Sequence, residues 1–223
     1  MKLINLVRLL SAALMAVVAF TSFSPAASAQ QTPASLFINA PQSRFPFLPK
    51  MKRMDMVDYY NSGVGRGSDN LLGGKSRILE LTPDQIKVEL VEGGMSTTTL
   101  SIVPYAKNDS LVVAVSNVST PAPDGMISFY TTDWKEVDTN RLFEAPAFDD
   151  WLPKGIDRTL RNDIRNAVPF VMAQYSFDPS TQILTLTQTA AQDLPKADYA
   201  IAKDHLVKEL RYKWNGKKME KIK

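Results

Sequence analysis

The chain has 223 residues, with 26 basic against 23 acidic side chains, one histidine and no cysteine. That inventory excludes a disulfide framework and leaves a zinc site, which prefers Cys and His ligands, with a single candidate ligand. The pI near 9.0 rests in part on Lys2 and Arg8; without them 24 basic residues face 23 acidic ones, a net of +1, so nucleic acid binding is not implied.

Residues 1–29 read as a secretory signal peptide: Lys2 and Arg8, an apolar run from Leu9 to Phe23, then Pro25 and Ala27-Ser28-Ala29. The run is interrupted by Ser11, Thr21 and Ser22 and falls short of the roughly 20 apolar residues of a membrane span. Cleavage after Ala29 predicts an exported, soluble mature region, 30–223, in the periplasm or outside the cell, with no transmembrane segment. No lipid-accepting cysteine follows.

Four prolines punctuate 30–49 around Leu36-Phe37-Ile38 and Phe45-Pro46-Phe47-Leu48, which predicts an ordered lead-in with a helical turn near Ala34 to Asn39. A helix follows from Met51 to Asn61, with Met54, Val57 and Tyr60 on its inner side, Arg53 elsewhere and Gly63 as its C-terminal cap. Gly63 to Gly67 and Gly73-Gly74-Lys75-Ser76 miss the phosphate-loop spacing by one residue and lead into strand-like Ile78-Leu79, so they read as a flexible link.

From Leu81 to Trp134 the period is that of strands. Ile86 to Leu90 alternates, Gly93-Gly94 turns, Thr99 to Val103 is β-branched or apolar, and Lys107 to Ser110 turns again. Leu111 to Val115 is apolar at both parities, the pattern of a strand covered on both faces. The loop at 121–125 then leads to Met126–Tyr130. Lys135 to Pro153 is too apolar for a solvated linker. Ile156, Leu160, Ile164 and Val168 mark a second amphipathic helix, ended by Pro169. Val171–Phe177 and Ile183–Thr189 form a hairpin, Asp198 to Leu206 a short helix, and Leu210–Ile222 a last hairpin. Asn215-Gly216 there predicts a two-residue type I′ loop, with Trp214 facing Lys217 and Tyr212 facing Met219.

These elements predict an α+β fold of mostly antiparallel β-meander sheets with about three helices. Each long helix precedes a run of strands, so two tandem helix-plus-sheet units are a candidate reading, with subunits 30–150 and 151–223.

Three stretches carry a family likeness: Leu71–Ser76 with Leu79–Thr82, Ile127–Lys135, and Tyr212–Lys218. They resemble the exported bacterial family called domain of unknown function 3256, found in Gram-negative anaerobes, and the likeness spans nearly the whole mature chain. It implies the fold and the export, and no catalytic residue. Some members have cysteines near the middle strands; this chain has none, so no cysteine-dependent role extends to it.

His205 is the one histidine, beside Asp204, and reads as a surface or satisfied residue. Asp149-Asp150 and Asp133 are the carboxylates that a hydrolase of glycans or peptides would use, although adjacent acids more often cap backbone N–H groups. The favoured expectation is a non-enzymatic binding or accessory module of the envelope, without cofactor or metal. Its expected binding surface is Tyr212, Trp214, Lys213, Lys217 and Lys218, for an envelope protein or polymer; core packing is the competing reading of the aromatics.

Overall fold

The computed structural model describes residues 31–119 and 123–222; the expected signal peptide at 1–29, Gln30, Thr120, part of the 121–125 loop and Lys223 lie outside them. Helix α1 (Pro33–Asn39) begins at Thr32, whose hydroxyl accepts from Ser35 N–H at 3.1 Å, and α2 (Lys50–Asn61) ends at Gly63, φ +69°. The chain then runs β1 (Ser68–Asp69), β2 (Lys75–Leu81), β3 (Gln85–Val91), β4 (Ser96–Tyr105), β5 (Asp109–Val118), β6 (Asp124–Thr131) and β7 (Glu136–Val137). These seven strands form one antiparallel sheet in sequence order, a pure meander. The glycine stretch read as a link contains β1, which pairs Ser68 with Ser76 and so adds an edge strand.

Helix α3 (Thr139–Leu142), a 3₁₀ turn (Phe148–Trp151) and α4 (Arg158–Ala167) lead to β8 (Ala173–Asp178) and β9 (Ile183–Gln188). Helices α5 (Ala190–Asp193) and α6 (Lys196–Ala202) precede β10 (Glu209–Trp214) and β11 (Met219–Ile222), and the second sheet is ordered β11-β10-β9-β8. Six α-helices are therefore present among the described residues, where about three were expected. The surplus comes from short segments, α3 and α5 having only four residues each, too short to show a helical period in sequence.

The large sheet carries an apolar core on each face. Ile86, Val88, Leu100, Val112 and Tyr130 meet Leu36, Phe37, Phe45, Leu48, Met56 and Val57 of the N-terminal segment on one side. On the other, Leu111, Val113, Val115, Ile127 and Phe129 meet Phe177, Leu184, Leu186, Tyr212 and Trp214 of the second sheet. Strand β5 contributes to both cores, which is why its sequence is apolar at both parities. Leu142, Phe143, Trp151 and Leu152 from the apolar connection join the second core.

Two local expectations are corrected. The inner side of α2 is Arg53, Met56 and Val57, whereas Met54 and Tyr60 are more than a third exposed. Arg53 goes inward because that side of α2 meets backbone carbonyls: its guanidinium donates to Ile38 O, Ala40 O (2.6 Å) and Leu48 O (2.7 Å). In the last hairpin Trp214 faces Met219 and Tyr212 faces Lys221, two residues on from the expected register. A slip of two preserves the side-chain period, so the inward set is unchanged.

A basic pocket at the C-terminal hairpin

Alternation along β10 turns Leu210, Tyr212 and Trp214 inward and Glu209, Arg211 and Lys213 outward. Trp214 is 1% exposed; its ring stacks on Phe129 at 5.8 Å and its indole N–H donates to Pro104 O at 2.7 Å. Tyr212 packs edge-on against Phe143 at 5.1 Å, and burial, reinforced by the negative charge of Asp150, pushes its phenol up to about 12. Both aromatics are thus core residues, as the competing reading had them, and neither is part of a surface platform.

The turn beyond Trp214 is held by hydrogen bonds to its own side chain and from a neighbouring turn. Asn215 Oδ1 accepts from the N–H groups of Lys217 and Lys218, each at 2.9 Å, and only Gly216 takes a positive φ, +87°. This side-chain capping shifts the loop away from the type I′ form, which needs positive φ at both central residues. Gly216 O then accepts from Ala106 N–H at 3.1 Å, tying the hairpin to the β4–β5 turn.

Beside that turn is a pocket of about 420 Å³, lined by Tyr105, Arg141, Leu142, Lys217, Lys218 and Glu220 among others. Three cations here face one carboxylate. Lys218 reaches Glu220 only at 4.0 Å, and Arg141 and Lys217 have no ion-pair partner among the described residues. Cations on the turn and on the end of α3, in excess over the one carboxylate beside them, suit an anionic group.

Of the five residues expected to form one surface, Lys217 and Lys218 line this pocket. Lys213 projects from the outer face of the second sheet, and Tyr212 and Trp214 lie beneath. Arg141, in the last turn of α3, was not anticipated, and its place beside the hairpin is set by packing between segments some 75 residues apart, with no local signal in sequence.

The carboxylates considered for hydrolysis are engaged elsewhere. Asp149 makes a two-point ion pair with Arg161 (Nε to Oδ1 2.8 Å) and a second contact with Arg165, and the Arg161 hydrogen bond holds its pKa below the usual range. Asp150 accepts from Lys221 at 2.7 Å and caps Ala147 N–H at 2.8 Å; the Lys221 bond likewise lowers its pKa. A general acid requires the opposite shift. Asp133 pairs with Lys135 at 2.8 Å. His205 is half-buried, with no side-chain hydrogen bond among the described residues, where no group of three His, Asp or Glu is placed to hold a metal ion. No helix of the described residues is long and apolar enough to cross a membrane.

A comparison with curated proteins returns no match. Among solved structures, the fold is similar to a domain of an uncharacterized protein from Porphyromonas gingivalis W83, with TM-score 0.72 and 23% identity over 84% of this chain and 97% of that one. At that identity the likeness speaks for the fold. The model of the family described as protein of unknown function (DUF3256) matches residues 26–219, and the chain belongs to that family.

Proposed function

We propose that this protein is an exported, non-enzymatic binding or accessory module of the cell envelope, which docks a carboxylate- or phosphate-bearing envelope protein or polymer on the pocket formed by Arg141, Lys217 and Lys218. The observation that supports this reading is the set of three cations facing a single carboxylate around a turn held by Asn215 and Ala106. Export rests on the sequence of residues 1–29.

The test is capture from envelope extract by the wild-type chain and by an Arg141→Glu/Lys217→Glu/Lys218→Glu variant, followed by titration of the captured component. Charge reversal at exposed positions leaves the core intact, so the variant folds but binds at least tenfold more weakly, and wild-type affinity falls as salt rises. Equal capture by both proteins would reject the pocket as the docking site.

A further inference from the structure

The second sheet stands on the first by way of β8, which packs against β5 and β6. It covers the β5–β6 part of that face and the end of β4 at Val103, and beyond that edge Gln85, Lys87, Thr97 and Thr99 replace the apolar residues found under the second sheet. Between this open floor and the outer face of the second sheet, which carries Gln174 and Ser176, runs a groove of about 470 Å³, within the size range of small-ligand clefts.

The corner of the groove is locked. Asn117 Nδ2 donates to Tyr175 O at 2.9 Å and Tyr175 N–H donates to Asn117 Oδ1 at 2.8 Å, so a side-chain amide pairs with β8 as another strand would. Gly125 makes the approach achievable: a Cβ there would lie 2.5 Å from Asn117 Oδ1 and 2.9 Å from Tyr175 N. This closure also discriminates between ligands, since an extended peptide adds to a sheet through free N–H and C=O groups, and at Tyr175 both are taken.

The lining carries no net charge. Glu80 is the register partner of Lys87 across β2 and β3, and the other polar groups are amides and hydroxyls. Gln85 is oriented by Ser101, whose hydroxyl donates to its Oε1 at 2.9 Å. The hydroxyls of Thr97 and Thr99 and the amide of Gln174 have no side-chain hydrogen-bond partner among the described residues, although Thr99 is only 9% exposed. Groups that both donate and accept, with no net charge among them, match the hydroxyls of an uncharged, polyhydroxylated ligand.

We propose that this groove binds a segment of neutral oligosaccharide, held by the Thr97 and Thr99 hydroxyls and the Gln174 amide. The site is separate from the basic pocket and does not depend on it.

Calorimetric titration of the full chain with chitotetraose, maltotetraose and cellotetraose, and with an uncharged octapeptide of alternating Thr and Val, tests the assignment. At least one oligosaccharide binds. The Thr97→Val/Thr99→Val variant, which keeps side-chain shape and strand preference, raises its Kd at least tenfold with unchanged circular dichroism, as does Gln174→Ala. Lys217→Glu/Lys218→Glu leaves that Kd unchanged. The proposal is overturned if none of the three sugars binds, if the groove variants bind as wild type does, if the lysine variant loses the sugar in parallel, or if the peptide is the ligand that the groove variants lose.

Discussion

Arg53 shows how one side chain can organise a segment that has little regular structure of its own. Residues 38–48 turn back on themselves between α1 and α2, and the carbonyls of Ile38, Ala40 and Leu48 converge where neither helix supplies an N–H. A guanidinium, with five donors in a planar fork, reaches all three, and it stays charged although burial lowers its pKa from the ordinary value. Its ring-face contact with Phe45, 5.7 Å from charge centre to centroid, fills the remaining side. Truncation strands several buried carbonyls at once. Arg53→Met is therefore expected to destabilise the fold by about 3 kcal/mol or more in urea denaturation, and Arg53→Lys to recover only part of that loss, since one ammonium lacks the fork. A change below about 1 kcal/mol for Arg53→Met would show that water satisfies those carbonyls instead.

At the scale of elements, the C-terminal hairpin is the piece on which the second core closes. Its inward residues Leu210, Tyr212, Trp214 and Met219 complete the apolar layer between the two sheets, and the Trp214 indole bonds back to Pro104 at the end of β4. Trp214→Ala removes a buried ring and leaves the Pro104 carbonyl without that donor, so a loss of about 3–5 kcal/mol is expected in chemical denaturation. A neutral effect would contradict the packing of the ring on Phe129 and Tyr105. The same strand shows what alternation can and cannot tell. A period of two named the inward residues correctly even though the register was displaced by two, because parity alone decides the face. The register itself depends on Asn215 using its side chain to cap the loop, a choice open to Asn at any turn. On α2 the argument from apolar spacing misled, because the surface it meets is part sheet face, which takes Met56 and Val57, and part polar backbone, which takes Arg53.

For the molecule as a whole, the expected processing is the simplest consequence to check: N-terminal sequencing of the exported form should begin at Gln30. A chain still starting near Met1, or found only in membranes, would reject export by cleavage after Ala29. Much of the architecture was legible locally. The meander from β3 to β6, the doubly covered β5, the α4 helix and both later hairpins are short-range patterns, since the spacing of apolar residues and the turn chemistry between them are properties of adjacent residues. The antiparallel α+β class and the family likeness follow from those same stretches. What only the tertiary structure decided lies where distant segments meet. Arg141 comes to the lysines of the last hairpin, the 117 and 175 positions lock together over Gly125, and the tryptophan of β10 goes under the first sheet instead of onto the surface. Those placements depend on how two sheets pack, and no local period encodes which face of one sheet the other will cover or which part it will leave open.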